Sequence, residues 1–146
     1  MSQTSSRVIP MSYMGIPFSQ DPTGSRAAIL GIPFDCGTHP TRIGARQGPD
    51  AIRTQSSLVR PYYPPDFDFN PLELLNLVDC GNVACVPGEV ESAMAPIECA
   101  VSEICHAGAV PVTMGGDGLV SLPQLRALSK VHTDLALVHL DAHTDT

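Results

Sequence analysis

Short apolar runs alternate along the chain with segments in which apolar residues recur at helical spacing. Four runs have the length and composition of buried strands, and they occupy residues 27–31, 74–79, 109–114 and 135–140. Helices are predicted from Gly48 onward, over residues 96–107 and over residues 121–130. This alternation of strand and helix predicts an α/β fold, with a mainly parallel sheet and helices on both of its faces.

Proline, glycine and serine mark the boundaries of the predicted helices. Pro49 and Asp50 suit a first helical turn, since that turn tolerates proline and its positive end favours an acid. Pro96 is placed in the first turn of the next helix, which Gly108 ends. Ser121 is the expected N-terminal cap of the last helix.

Polar residues directly follow two of the predicted strands. The sequence GGDG occupies residues 115–118, and DAHTD occupies residues 141–145. Parallel α/β sheets bind ligands in the crevice at the carboxyl ends of their strands. These two segments are therefore the expected functional region.

The chain is long enough for one domain with a buried core and short for two. It has 146 residues, of which 43% are hydrophobic and 16% charged, so burial can offset the entropy of ordering. Residues 1–25 are rich in Ser, Pro and Gly and are predicted to form an irregular arm. Residues 26–146 are predicted to form the domain itself.

The charge balance disfavours nucleic acid as a partner. The net charge is −7, and the eight Lys and Arg residues are scattered rather than clustered. An acidic surface is compatible with a small cationic ligand but does not identify one.

The sequence indicates a reducing compartment, and the cytoplasm is the simplest expectation. No signal-peptide core and no window near the ~20 apolar residues of a membrane span are found. The five cysteines are odd in number and include no C-x-x-C pair, which disfavours a disulfide framework or a zinc knuckle. A mitochondrial presequence is less favoured, because residues 1–20 contain one Arg and have poor helical amphipathicity.

The strongest chemical signal is the segment DAHTD. Side chains alternate between faces in an extended chain, so Asp141, His143 and Asp145 point the same way. Two carboxylates and an imidazole suit Mn, Zn, Ni or Fe better than an all-oxygen Mg or Ca site. The alternative is that these acids only turn the chain after a strand. Their position in the expected crevice favours a metal site.

Two other interpretations are weaker. A phosphate-binding loop at residues 115–118 is disfavoured, because neither G-x-x-x-x-G-K-[ST] nor G-x-G-x-x-G is present and Asp117 would repel phosphate. A thiol redox site is disfavoured because Cys105 lies on an apolar helix stripe, which indicates small buried thiols instead. The candidate pairs for such a site are Cys80 with Cys85 and Cys99 with Cys105.

Several sequence blocks resemble the agmatinase and guanidinobutyrase branch of the ureohydrolase family, which also includes the arginases. They are GIPFDCGT (residues 31–38), TRIGARQGPDAIR (41–53), LNLVDCGNV (75–83), MGGDG (114–118) and ALVHLDAHTDT (136–146). The resemblance covers nearly the whole chain and corresponds to the amino-terminal half of the family only. It implies the arginase-like fold, a three-layer αβα arrangement around a mainly parallel sheet, here truncated.

The resemblance also implies a chemistry. Family members hydrolyse guanidino compounds to urea and an amine, and the implied substrate is agmatine or a short guanidino acid. Two divalent ions, usually Mn and in some relatives Ni, generate hydroxide at neutral pH. By this match Asp141 bridges the two ions, Asp145 binds the first and His143 the second. His139 resembles a His that relatives carry outside the coordination shell.

Two departures from the family pattern concern metal ligands. The family motif is GGDH, whose His binds metal, but the fourth residue here is Gly118. The chain also stops at Thr146, before the family's second group of ligand aspartates. We therefore expect weak metal binding and no hydrolysis by this chain alone. It is then either part of an enzyme or a non-catalytic partner subunit of a hetero-oligomeric ureohydrolase, and a homo- or hetero-oligomer is expected.

Overall fold

A parallel sheet of three strands forms the centre of the molecule. The computed structural model describes residues 11–37, 43–60 and 68–143. The strands are β1 (Ala27–Ile32), β2 (Val78–Asn82) and β3 (Val110–Gly115), and their order in the sheet is β2-β1-β3. Both neighbours of β1 run parallel to it. The predicted parallel sheet is confirmed.

Helices follow the strands as the alternating pattern predicts. The long central strand β1 is buried along its whole length, which requires cover on both faces of the sheet. That cover comes from α1 (Gly48–Ser56), α2 (Pro71–Leu74), α3 (Val90–His106) and α4 (Ser121–Val131), with short 3-10 helices at Tyr13–Gly15, Ala45–Gln47 and Gly118–Val120.

One face of the sheet packs against α3 and α4. Alternate residues of a strand share a face, and this face of β1 carries Ala28, Leu30 and Ile32. Ile97 and Val101 of α3 belong to the same buried cluster. Ile32, Ile97 and Val101 have no exposed surface, and each such side chain contributes about 1.5–3 kcal/mol through burial.

The opposite face packs against α1 and the amino-terminal arm. Ile29 of β1 forms a second cluster there with Ile16 of the arm and Met114 of β3. Gly31 shares the face of Ile29, and a Cβ built on it would lie 2.9 Å from the Cβ of Pro49 in α1. The molecule therefore has three layers, helices, sheet and helices, as the α/β prediction requires.

Helix α3 begins earlier than the sequence pattern predicts. It starts at Val90, so Pro96 lies inside the helix and not in its first turn, and that prediction was wrong. Ala93 is fully buried and extends the stripe of Ile97 and Val101 toward the amino end. The packing of this stripe outweighs the hydrogen bond that Pro96 cannot donate.

The predicted strand over residues 74–79 is displaced toward its carboxyl end. Asn70 accepts a hydrogen bond from the N–H of Leu72 at 3.0 Å and so caps the short helix α2, which includes Leu74. Asn76 then adopts a positive φ of 44°, a left-handed turn that asparagine tolerates. The strand therefore starts only at Val78, and its amino-terminal half was wrongly predicted.

Residues 135–140 do not form the predicted strand. Their apolar side chains are exposed, from 45% for Leu135 to 91% for Leu140. A strand is stable only when a neighbour satisfies its main-chain groups, and in the described ranges no strand pairs with this segment. Asp141 consequently follows an exposed segment without regular secondary structure.

The arm covers the outer edge of β2. Phe18 forms an isolated parallel bridge with Asp79, whose N–H donates to the carbonyl of Pro17 at 2.9 Å and whose carbonyl accepts from Ser19 at 3.0 Å. The division into an arm of residues 1–25 and a domain of residues 26–146 stays a prediction. Among the helices of the described ranges, none is both long and apolar enough to span a membrane.

Candidate functional site

The loops after β1 and β3 meet at the carboxyl ends of these strands. The N–H of Asp117 donates to the carbonyl of Phe34 at 3.1 Å. In return, Oδ2 of Asp117 accepts the N–H of Cys36 at 2.7 Å, while its Oδ1 accepts the N–H of Leu119 at 3.2 Å. Asp117 is therefore the N-terminal cap of the short helix Gly118–Val120. The predicted cap Ser121 makes no such bond, because that helix runs directly into α4.

Close main-chain packing explains two glycines of this region. Gly116 has a φ of 31°, and a Cβ built on it would lie 2.4 Å from the carbonyl oxygen of Phe34. A Cβ on Gly48, at the start of α1, would lie 2.5 Å from the carbonyl oxygen of Gly115. Glycine is required here by packing, so the glycine run needs no bound phosphate to account for it. Gly118 differs, since it is exposed and is not among the residues with positive φ.

Asp35 ties three segments together near the end of β1. Its carboxylate accepts hydrogen bonds from the Arg46 side chain and from the main-chain N–H of Arg46 at 3.0 Å and Gly44 at 3.3 Å. The Arg46 side chain, followed by the Arg46 main chain, holds the pKa of Asp35 far below its usual range. The Asp35 carbonyl also accepts from Gly88 at 2.8 Å. The pairing of Asp35 with Arg46 was not predicted, although both residues lie in the blocks that carry the family resemblance.

A second unpredicted ion pair lies between β2 and α1. Asp79 is fully buried and accepts two hydrogen bonds of 2.8 Å from Arg53, together with the main-chain N–H of Tyr13 at 2.8 Å and Gly81 at 2.9 Å. Burial raises the pKa of Asp79, but the bonds from Arg53, Tyr13 and Gly81 outweigh it and leave the pKa lowered. The only sequence signal was an acid within an apolar run.

The structure brings together two of the three predicted metal ligands. Oδ1 of Asp141 accepts the N–H of His143 at 2.9 Å and lies 3.5 Å from its Nδ1. The hydrogen bond from the His143 main chain lowers the pKa of Asp141. His139 approaches the other carboxylate oxygen at 3.8 Å. The third predicted ligand, Asp145, lies outside the described residues.

Asp141 and His143 are suitable types of metal ligand, but two side chains are too few to hold an ion. A carboxylate oxygen and an imidazole nitrogen are donors that first-row divalent ions accept, and these two are adjacent and exposed. Within the described ranges, no group of three or more such side chains is close enough to hold an ion. The set of Asp141, His143 and Asp145 therefore stays a prediction.

The cysteines show no sign of an activated thiol. Burial first, and then the neighbouring Asp117, raises the pKa of Cys36 to about 11. Burial also raises the pKa of the other partly buried thiols, Cys80, Cys85 and Cys105. All five cysteines are free. The expectation of buried thiols holds only in part, because Cys99 is exposed and the other four are partly buried. The raised pKa values oppose a redox site at those four thiols, since such a site requires a lowered pKa.

Comparison with known proteins relates the sequence to a group of guanidino hydrolases. Guanidinobutyrase of Pseudomonas aeruginosa is 39% identical over 137 residues, which cover 92% of this chain and 42% of that protein. The mitochondrial guanidino acid hydrolase of Homo sapiens is 37% identical over 135 residues, covering 92% of this chain and 38% of that protein. The chain thus spans about two fifths of the length of these relatives.

Solved structures show the same relationship. Proclavaminate amidino hydrolase from Streptomyces clavuligerus superposes with a TM-score of 0.86 at 34% sequence identity, covering 94% of this chain and 45% of that one. A hypothetical agmatinase from Burkholderia thailandensis gives a TM-score of 0.74 at 28% identity, with coverage of 82% and 38%. The three-layer arrangement around the parallel sheet is thus the arginase-like fold. The Arginase family matches residues 25–146, and the chain belongs to that family.

Proposed function

We propose that this chain is part of a ureohydrolase of the agmatinase type, which hydrolyses a small guanidino compound to urea and an amine. Support comes from its membership of the family and from relatives named guanidinobutyrase, guanidino acid hydrolase and agmatinase. The proposed substrate is agmatine or a short guanidino acid. The net charge of −7 is compatible with a cationic substrate.

Asp141, His143 and Asp145 are the proposed metal ligands. The observation that carries this proposal is the contact of Asp141 with His143, with their donor atoms 3.5 Å apart in an exposed segment. The lowered pKa of Asp141 keeps its carboxylate ionised, as a cation ligand must be. Asp141 has two oxygens and is the proposed bridge between two ions, with Asp145 on the first and His143 on the second.

The proposed role of these residues is to hold two divalent ions, with Mn favoured and Ni the alternative. Two such metal ions, when bound, supply a hydroxide nucleophile at neutral pH. A guanidinium carbon requires this nucleophile because it is a poor electrophile. The His143 main chain orients the Asp141 carboxylate by the bond of 2.9 Å. Because each carboxylate oxygen has two lone pairs, Oδ1 would keep one for an ion beside this bond, and Oδ2 has His139 as its neighbour at 3.8 Å.

The chain alone is proposed to be inactive. The three ligands give each ion two protein donors, counting the bridging Asp141 twice, and catalytic sites usually have about three or more. Gly118 supplies no donor, and its backbone does not need glycine. Gly118 alone does not separate part of an enzyme from the second candidate, a non-catalytic partner subunit in a hetero-oligomer. The exposed apolar segment 135–140 gives a partner a surface to cover.

The proposed compartment is the cytoplasm.

Two assays test this function. Purified 146-residue chain with Mn²⁺ and either agmatine or 4-guanidinobutyrate is expected to release no urea, and release above the Asp141→Asn control would contradict the proposed inactivity. Native mass spectrometry of the protein from its source is expected to show a metal-containing oligomer. A complex with a catalytic relative would support the partner subunit, and a monomer without metal would contradict both candidates.

A further inference from the structure

The outer edge of β2 is covered by the amino-terminal arm. Among the described strands, β1 is the single neighbour of β2. On the other side of β2, Phe18 forms a parallel bridge with Asp79. The main-chain N–H of Asp79 donates to the carbonyl of Pro17 at 2.9 Å, and the Asp79 carbonyl accepts the N–H of Ser19 at 3.0 Å. Arm residues 17–19 therefore serve as a short additional strand.

Two side chains of the domain fasten the arm ahead of this contact. Oδ2 of Asp79 accepts the N–H of Tyr13 at 2.8 Å. Oγ of Ser56, at the end of α1, accepts the N–H of Met14 at 2.8 Å. Both acceptors belong to buried residues. The main chain of the arm is thus tied to β2 and to α1 at neighbouring positions.

Arm residues 12–19 are held less firmly than the sheet that they cover. Within this stretch only Ile16 is buried, and Phe18 is 42% exposed. Met14 has a φ of 50°, a left-handed conformation that is unfavourable for a residue with a side chain. Segments with few buried apolar contacts open locally at a lower free energy than core strands do. We therefore expect the arm to open before the sheet does.

The residues of β2 would not block pairing once the arm is open. Natural edge strands are often protected by lysine, proline or other charges. The sequence of β2 is VDCGN, in which Asp79 is the only charged residue, and its carboxylate is buried against Arg53. Gly81 adds no side chain, and a Cβ built on it would lie 3.0 Å from the Phe18 ring. The protection of this edge therefore comes from the arm.

We propose that residues 12–19 form a strap that closes the outer edge of β2, and that this edge pairs with β2 of a second copy when the strap opens. Opening frees the main-chain N–H and carbonyl of Asp79, which are the groups that strand pairing uses. The freed edges of two copies are identical, so a two-fold axis makes each the partner of the other. This inference does not depend on the proposed metal site or activity.

Ser56→Ala and Ser57→Ala form a matched pair of variants for testing the strap. Each hydroxyl donates to the carbonyl three residues earlier in the chain. In the described ranges only Ser56 also accepts an N–H of the arm. Comparison of the two variants therefore separates the loss of the strap's hydrogen bond from the loss of a helix hydroxyl.

Hydrogen exchange in dilute solution measures the opening of the strap. In Ser56→Ala the amides of Met14 and Asp79 are expected to exchange about fivefold faster than in the natural chain, because one hydrogen bond of the closed strap is lost. Ser57→Ala is expected to match the natural chain, and the amide of Leu30 in β1 should be unchanged in both variants. Unchanged exchange at Asp79 in Ser56→Ala overturns the strap. Equal acceleration at Leu30 also overturns it, because the whole domain would then be opening.

Raising the protein concentration tests the pairing with a second copy. In Ser56→Ala the Asp79 amide is expected to slow again, because the second copy covers the edge, whereas the Met14 amide stays fast. Sedimentation velocity should show a larger dimer fraction for Ser56→Ala than for Ser57→Ala. Equal dimer fractions, or an Asp79 amide that stays fast at every concentration, overturn the pairing. Slowing at Met14 as well overturns it too, because copies would then be exchanging arms.

Discussion

At the scale of single residues, neighbouring glycines after β3 have different causes. Gly116 is required by a positive φ and by contact with a carbonyl, whereas a Cβ on Gly115 would lie 3.1 Å from Val120. Gly118 has no positive φ. Sequence alone treats the three alike, because the close approach of chain segments is a tertiary property. The pairing of Asp35 with Arg46 was not predicted for the same reason, because it depends on how two loops meet.

The contrast between these glycines predicts opposite effects of substitution. Gly118→His is expected to raise the free energy of unfolding by about 0.5 kcal/mol, because it restricts the unfolded chain without native strain. Gly116→Ala is expected to lower it by more than ~1 kcal/mol, since its Cβ would meet the Phe34 carbonyl at 2.4 Å. Urea unfolding measures both values. Equal losses in the two variants would contradict this account of the loop.

At the scale of elements, prediction succeeded where local signals and packing agree. The apolar run of β1 and the Pro49 start of α1 are observed as predicted. Gly108 follows Ala107, the C-terminal cap of α3, and has a φ of 79°, which favours glycine at a helix end. The prediction of the second strand was wrong in its amino-terminal half, because Asn76 adopts a left-handed turn before β2. The predicted strand at residues 135–140 was also wrong, because a strand forms only where a neighbouring strand can pair with it.

Helix α3 carries a proline that its packing does not require. Pro96 is exposed and lies in the helix interior, where proline cannot donate the main-chain hydrogen bond of its turn. Pro96→Ala is therefore expected to stabilise the protein by about 1–3 kcal/mol. Thermal and urea unfolding test this. A loss of stability would contradict the expectation that Pro96 makes no stabilising contact.

The ion pair between α1 and β2 predicts a dependence on pH. The folded pKa of Asp79 is lowered from 3.8, so its contribution is present above that value and is lost as the pH falls through the folded pKa. Asp79→Asn leaves the buried Arg53 with the exposed Asp50 as its acidic partner, at 3.6 Å, and is expected to cost about 3 kcal/mol at pH 7.

Urea unfolding between pH 7 and pH 2 measures this effect. The natural chain is expected to lose more stability below about pH 4 than Asp79→Asn does, because only the natural chain has this carboxylate to protonate. Asp134→Asn, an exposed change of equal charge, should follow the natural chain. Parallel pH profiles for the natural chain and Asp79→Asn would contradict the role of this pair.

At the scale of the whole molecule, the fold was predictable and the site only in part. The alternation of strands and helices predicts the parallel three-layer architecture that the solved relatives share. Of the three ligands predicted from one short segment, Asp141 and His143 are adjacent, and Asp145 lies outside the described residues. Whether other side chains approach these two depends on tertiary contacts, which spacing along one chain does not specify.

The central claim is that Asp141 anchors a metal site, and a Mn²⁺ titration followed by electron paramagnetic resonance tests it most directly. The natural chain is expected to remove free Mn²⁺ signal in a weak but saturable way. Asp141→Asn should abolish this binding, because the variant loses the anionic oxygen, whereas Asp134→Asn should leave it intact. Identical titrations of the natural chain and Asp141→Asn would contradict the claim.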